Sequence, residues 1–265
     1  MMDNVPRLGI EDIIKSTREL IESEIDNRLD IYFLLDTNIA LDSDFCNSTY
    51  HTKDYFGVDV QELKTAIKSV EFGSELLDNP VIFISDGVSK EINNFFDIVS
   101  ERIKFFNDNP EDGRPKKKRG KVHSSSLENK KNLYLKLNAA CYDLKKKLSE
   151  AIYPVEDPAS YNEILSEVLK ISGWKNLKRE IIIKENIPRP FRRCRDKFNT
   201  DEELVSHAIY LNSVKNRPVS ILSQDSDILR IWKCVSLIPI IKHLDIRVLN
   251  PYGKVMDEMG YIADC

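Results

Sequence analysis

Four acidic residues stand where carboxylates from distant parts of the chain could meet. They are Asp36, Glu91, Asp201 and Asp225, and three of them lie at or shortly after the end of a short apolar run. A buried carboxylate is costly unless a charge compensates it. On residue types alone, a metal ion or an Arg or Lys partner would serve equally well. These four positions are therefore candidates for a metal-dependent site.

The elements that would position these acids are four short apolar runs. Each is too short for a helix and rich in residues that favour strands. The runs are IYFLL (31–35), VIFI (81–84), VSIL (219–222) and IRVL (246–249). Continuous apolar strands are typical of parallel sheets buried on both faces, and helical patterns alternate with them here. The sequence therefore predicts an α/β fold with a mainly parallel sheet and helices on both faces. In such sheets the ligand crevice lies at the carboxyl edge of the strands.

Each acid also has a purely structural interpretation. Asp36 follows a strand and could simply be a helix N-cap, and either Asp225 or Asp227 could cap the helix that begins near 228. Glu91 is more informative, because it lies three residues after Val88 and four before Phe95 and so shares the apolar face of its helix.

Three adjacent acids in NTDEELVSHAIYLN compete for one role. Thr200 and Glu203 have the spacing of a capping box, which makes Glu203 structural. Asp201 has apolar residues at intervals of 3, 4, 7 and 10 positions, at Leu204, Val205, Ala208 and Leu211, and this favours it over Glu202 for the buried face. Asp201 is therefore the preferred candidate.

The composition is that of a globular protein, because 265 residues at 42% hydrophobic can bury a full core. The 39 basic and 43 acidic residues give a net charge of -4, so a nucleic-acid partner would need local basic patches. Five scattered cysteines without CxxC spacing favour a reducing, cytoplasmic location over a disulfide framework or zinc ribbon. No apolar run reaches the roughly 18 residues of a membrane span. No signal-peptide pattern opens the chain, and no membrane partner is expected.

Two additions surround the strands of what reads as a single domain over 1–265. Residues 1–29 carry apolar positions at helical spacing and predict an N-terminal helical extension. It would pack against the body or serve a homodimer or protein partner. Residues from about 100 to 198 are rich in lysine and helical in pattern, and they predict a basic helical insertion.

The order of these features resembles the PIN domain family across residues 31–252. The first motif is a strand ending in Asp-Thr-Asn, within LLDTNIAL, and the second is Ser85 six positions before Glu91. The third is Asp201 seven positions before Ala208, and the fourth is ILSQDSD, followed by the closing strand and proline of IRVLNPYG. The resemblance implies a three-layer α/β/α fold around a mainly parallel sheet, with the N-terminal helix and the insertion as additions.

The same resemblance implies a Mg²⁺- or Mn²⁺-dependent endonuclease, with single-stranded RNA favoured over DNA and 3′-hydroxyl and 5′-phosphate products. Asp36 and Asp225 would be the main metal ligands, Asp201 a ligand or water-positioning group, and Glu91 a ligand or general base. The residues that would orient them are Asn38, Ser223 and Asp227. The alternatives are a flap-type DNA nuclease, a catalytically silent PIN-like binding module, and a haloacid-dehalogenase-type phosphatase. The last of these would want an acid at position 38, where this chain has Asn.

Two basic segments in the insertion are the candidate nucleic-acid contacts. Six of the eight residues at 114–121 and five of the nine at 189–197 are Lys or Arg. The candidate contacts are Lys116, Lys117, Lys118, Arg119, Arg192, Arg193 and Arg195. The second segment precedes Asp201 closely, so it would lie near the site, and Phe191 within it could stack on a base. The structural alternative is a solvated loop.

Replacing both Arg192 and Arg193 by Ala tests the second segment. We expect weaker binding to nucleic acids of every sequence, and a salt dependence flatter by roughly 0.7 log units for each phosphate of a single strand that the protein no longer neutralises. Affinity measured as a function of salt checks this. An unchanged affinity and slope would assign these arginines to the fold or to another partner.

Overall fold

The computed structural model describes residues 9–41, 58–108, 124–171, 199–239 and 241–258. The strands are β1 (Tyr32–Leu35), β2 (Ile82–Phe83), β3 (Val219–Leu222) and β4 (Ile246–Leu249). The helices are α1 (Ile10–Asn27), α2 (Thr37–Ala40), α3 (Val60–Leu76), α4 (Asp86–Asp108), α5 (Ser124–Ala151), α6 (Pro158–Ile171), α7 (Thr200–Lys215), α8 (Ser226–Val235) and α9 (Pro251–Glu258). The predicted α/β class is confirmed.

The four strands form one parallel sheet in the order β2-β1-β3-β4. Each of the four apolar runs supplies one strand, as predicted. The central strands are buried on both faces, since Phe33, Leu34 and Leu35 of β1 and all four residues of β3 are buried. Because every strand points the same way, the segments that follow them emerge at one edge of the sheet. This carboxyl edge carries the candidate acids.

The helices between β2 and β3 pack onto the body of the fold. α5 contacts α3 and α4, while α6 contacts α7 and α8. The helical character expected for the described parts of 100–198 is therefore present, although α4 runs from 86 to 108 and crosses the expected start of that segment. Residues 109–123 and 172–198, which hold both basic segments and every candidate nucleic-acid contact, lie outside the described residues.

The N-terminal helix α1 packs against α9 and α3 with Ile13 and Ile21 buried. The apolar stripe was predicted only in part. Ile25 and Leu29 also belong to the apolar positions of the predicted extension, but they are 44% and 90% exposed. The expectation that they pack against the body is therefore wrong. Among the helices of the described ranges, none is both long and apolar enough to cross a membrane.

Near the carboxyl end of α1, buried polar residues make the contacts with the sheet. Glu24 and Arg28 are both buried, and their carboxylate and guanidinium lie 2.6 Å apart. Ser220 of β3 donates to Glu24 at 2.9 Å, and Arg247 of β4 donates to its other oxygen at 2.8 Å. Arg28 also donates to the backbone carbonyl of Asp245 at 2.8 Å. This buried network ties α1 to the amino-terminal half of the sheet.

Removing Arg28 should destabilise the fold strongly. In Arg28→Ala, Glu24 stays buried with only part of its charge compensated, and we expect a loss of roughly 3 kcal/mol in the free energy of unfolding. Urea titration followed by circular dichroism measures it. Lys15→Ala is the matched control on the same helix, because Lys15 pairs with Glu19 in an exposed contact worth less than about 1 kcal/mol. Equal losses in the two variants would contradict the network.

Candidate functional site

Asp36 stands directly after β1 and is only 4% exposed. It is the N-cap of the short helix α2, where Oδ1 accepts a 2.7 Å hydrogen bond from the backbone N–H of Thr37. Its Oδ2 accepts from the amide of Asn38 at 2.7 Å and from the hydroxyl of Ser223 at 2.6 Å. Asp36 is therefore both a helix N-cap and a candidate site residue, because the capping bond orients its carboxylate at the carboxyl edge of the sheet.

The loop after β3 is tied to the loop after β1. Ser223 Oγ accepts from the backbone N–H of Asp225 at 2.9 Å while it donates to Asp36, so one hydroxyl connects the two acids. Gln224 donates its backbone N–H to Asn38 Oδ1 at 2.9 Å and its side-chain amide to the Asn38 carbonyl at 3.0 Å. Asp225 is in turn the N-cap of α8 and accepts from the N–H of Asp227 at 2.8 Å. These bonds fix the spacing between the two loops.

Glu91 reaches the same edge from the second turn of α4. Ser85 begins this helix by accepting a 3.2 Å hydrogen bond from the N–H of Val88. The side chain of Glu91 is half-buried, and both of its oxygens are engaged. The hydroxyl of Thr37 donates to Oε2 at 2.6 Å and that of Thr200 donates to Oε1 at 2.7 Å. Two hydroxyls, rather than an Arg or Lys ion pair, are the partners found for Glu91 in the described part of the chain.

The predicted capping box at the start of α7 is wrong. The helix begins at Thr200, its N-cap is Asn199, and no side chain caps it. Thr200 is the first helical residue, and its hydroxyl bonds to Glu91 instead of to its own helix. Glu203 lies beside Gly87 in the first turn of α4, where an added Cβ would stand 2.4 Å from its carboxylate.

The helical register predicted for the three acids is also partly wrong. Glu202 is 1% exposed, whereas Asp201 is half-buried. The periodicity could not separate them, because α7 is buried almost all round from Leu204 to Asn212. Asp201 nevertheless lies at the sheet edge, because one of its carboxylate oxygens is within 4.8 Å of an oxygen of Asp225 and of Asp227.

The acids are close enough to influence one another. One carboxylate oxygen from each of Asp201, Asp225 and Asp227 lies within 4.8 Å of the other two. Burial is the largest cause that raises the pKa of Asp36 well above its ordinary value. The charge of Asp201 adds to it, the hydrogen bond from Ser223 opposes it, and the charges of Glu91 and Asp225 raise it further. Like charges are thus gathered around a buried carboxyl.

This group of oxygens suits a hard divalent cation. Mg²⁺ and Mn²⁺ prefer carboxylate and water oxygens, and Mg²⁺ commonly keeps several waters alongside one or two protein carboxylates. Asp201, Asp225 and Asp227 are all half-buried, which leaves room for water. Arg230 contacts Asp227 at 3.5 Å from an exposed position, and this pair is long and open to solvent. A cation would offset both the repulsion between these like charges and the cost of burying them.

The structure brings together every acid proposed from the sequence. Asp36, Glu91, Asp201 and Asp225 share the carboxyl edge, with Asn38 and Ser223 oriented toward Asp36. Asp227, expected to orient a ligand, offers an oxygen to the group directly.

Sequence reasoning missed the threonine hydroxyls and Gln224. Thr37 could have been found as the middle residue of Asp-Thr-Asn. Thr200 was hidden by the capping-box pattern. Gln224, between Ser223 and Asp225, gave no signal of its own in the sequence. No family model, curated protein or solved structure matches this chain.

Removing one charge should stabilise the metal-free protein. Asn caps helices as well as Asp does, so Asp225→Asn keeps the N-cap of α8 and loses only a like charge. We expect the free energy of unfolding to rise by about 1 kcal/mol, the Coulomb energy of two charges about 4 Å apart in water. Thermal and urea unfolding in EDTA measure it. The control is Asp59→Asn, the same change at the exposed N-cap of α3, which should be neutral. Destabilisation of Asp225→Asn alone would mean that its carboxylate has a favourable partner.

Proposed function

We propose that this chain is a PIN-like nuclease that hydrolyses phosphodiester bonds, most readily in single-stranded RNA, with Mg²⁺ or Mn²⁺ as cofactor. The observation that carries the proposal is the meeting of Asp36, Glu91, Asp201 and Asp225 at one sheet edge. These acids come from four separate segments, and the order of these segments resembles that of the motifs of the PIN domain family. An arrangement of helix caps alone would not need four acids from distant segments to converge.

The proposed roles follow from how each side chain is held. Asp36 is fixed by three donors, and Asp225 is held by its cap, so both are suited to ligate a cation at a defined position. Asp201 and Asp227 are half-buried beside Asp225 and would complete the ligand set or orient water. The chemistry that a bound Mg²⁺ or Mn²⁺ supplies is polarisation of a phosphoryl oxygen and activation of water for in-line attack. Glu91, fixed by two hydroxyls, would ligate or accept the proton of the attacking water.

The strand order supports a three-layer arrangement. Parallel connections are right-handed in nearly all proteins. The step from β1 to β2 would then carry α3 across one face, and the steps from β2 to β3 and from β3 to β4 would carry α7 and α8 across the other. Contacts between α1 and α3, and between α7 and α8, agree with two such helical layers.

The surroundings of Asp36 argue against a phosphatase in which this residue attacks phosphorus. Both of its oxygens accept hydrogen bonds, and the side chain is only 4% exposed. A nucleophile needs an oxygen that can reach the substrate. Asn38 moreover donates to Asp36, whereas the phosphatase would need an acid there. The half-buried acids beside Asp36 are better placed to meet a substrate, as in metal-assisted hydrolysis.

The substrate and partners rest on the resemblance and on the basic segments. RNA is favoured over DNA, and Lys116 to Arg119 and Arg192 to Arg195 would supply the phosphate contacts. A cytoplasmic location and a homodimer or protein partner through α1 stay predictions. The alternative is a catalytically silent binding module, and a cleavage assay distinguishes it from a nuclease.

The proposed activity is tested with labelled single-stranded RNA and DNA of the same sequence. We expect cleavage with Mn²⁺ or Mg²⁺, none in EDTA, and products with 3′-hydroxyl and 5′-phosphate ends. Asp36→Asn and Asp225→Asn should each lower the rate by at least about 100-fold, since even outer partners of a metal commonly cost about 10- to 100-fold. Gel analysis of the products, with tests of their end groups, measures both rate and chemistry.

The control for these variants is again Asp59→Asn, which makes the same change at the exposed N-cap of α3 and should keep full activity. Unfolding is excluded as the cause if Asp225→Asn is inactive yet at least as stable as the unaltered chain. Activity that persists in EDTA, or in Asp36→Asn, would overturn the metal site. Binding to RNA without cleavage under every metal condition would favour the silent module.

A further inference from the structure

The carboxylate of Glu91 needs more than its helix to be held in place. It stands on a long, flexible side chain that is only half-buried, so holding it in one conformation costs rotamer entropy. A loosely placed carboxylate would be a poor ligand or base, because catalytic groups act from a narrow range of positions. Something must therefore restrict its torsions.

Two threonine hydroxyls supply this restriction. Thr37 donates to one oxygen of Glu91 at 2.6 Å, and Thr200 donates to the other at 2.7 Å. The two threonines lie 54 and 109 residues away in sequence and belong to different helices. A carboxylate whose two oxygens are engaged from opposite segments can neither rotate nor swing away freely.

The hydroxyl of Thr200 is directed across the fold and not along its own helix. Thr200 is the first residue of α7 and follows the N-cap Asn199, whose side chain makes no capping hydrogen bond. Thr200 is only 3% exposed, and its hydroxyl donates to Glu91 of α4. A buried hydroxyl needs a hydrogen-bond partner, and here that partner is a carboxylate of the proposed site.

A glycine permits the close approach that the contact needs. At Gly87, in the first turn of α4, a Cβ would stand 3.4 Å from the Cα of Thr200 and 2.4 Å from the carboxylate of Glu203. The first turns of α4 and α7 therefore meet with little space between them. This brings Glu91 on one helix within reach of the first residue of the other.

We infer that Thr200 is a positioning residue of the proposed site, which acts by holding the carboxylate of Glu91 together with Thr37. Because Asp201 is the next residue, the same contact also fixes where α7 delivers its acid. The inference rests on the proposed function. It adds an uncharged group from the same segment that carries Asp201.

The test uses Mn²⁺ affinity by calorimetry on the full chain, beside the cleavage rate. Thr200→Val keeps the shape and loses the hydroxyl, and we expect Mn²⁺ binding weaker by about 10- to 100-fold, as for other groups that orient ligands. The turnover rate should fall while the KM for RNA stays unchanged. Thr200→Ser restores the hydroxyl and should recover both properties. Thr65→Val, at a half-buried threonine of α3, is the matched control and should change neither.

A double-mutant cycle separates positioning from a general effect on the fold. In the Glu91→Ala background, Thr200→Val should cause no further loss of Mn²⁺ affinity, because the group it orients is gone. An equal loss in both backgrounds, or wild-type affinity in Thr200→Val, would overturn the inference while leaving the proposed function intact. If the unaltered chain neither binds Mn²⁺ nor cleaves RNA, the proposed function fails, and the inference fails with it.

Discussion

The fold is organised around a carboxyl group that is buried among other carboxylates. Asp36 is nearly inaccessible, and burial together with the charges of Asp201, Glu91 and Asp225 raises its pKa well above the ordinary value. A protein would ordinarily avoid such a group, since a buried charge without compensation costs several kcal/mol. The surrounding elements must hold it against that cost. Acids with perturbed pKa values cluster at functional sites, because catalytic and ligand groups need pKa values matched to their task.

Neutral donors hold two of these acids in place. Asp36 receives an N–H, an amide and a hydroxyl, and Glu91 receives two hydroxyls. An arginine in place of these donors would neutralise the carboxylates permanently and compete with any cation. Hydroxyl and amide donors fix the direction of each oxygen and leave the negative charge of the carboxylate in place. Both side chains are therefore held firmly by neutral groups, which is the arrangement that the proposed metal centre would need.

The sequence predicts the sheet well because strands buried on two faces need mostly apolar residues, and the four runs are apolar apart from Ser220 and Arg247. The sequence also predicts that the acids meet, because the carboxyl ends of all strands in a parallel sheet lie at one edge. Local patterns were less informative where tertiary contacts override them. Thr200 and Glu203 match a capping box, but Thr200 is drawn to Glu91 across the fold. In α7 every residue from Leu204 to Asn212 is buried, so helical periodicity cannot identify the face of Asp201.

The two halves of the sheet manage charge in opposite ways. Beside its amino-terminal half, Glu24 is matched by Arg28 and Arg247, and hydrogen bonds from Ser220 and the arginines hold its pKa below the ordinary value despite the opposing effect of burial. At the carboxyl edge, acids are gathered around Asp36, and its pKa moves upward instead. Compensated charge fastens α1 to the sheet, while like charges are concentrated at the opposite edge, where the proposed metal ion would bind. Because the two networks lie at different places on the same strands, the stability supplied by the first can offset the repulsion stored in the second.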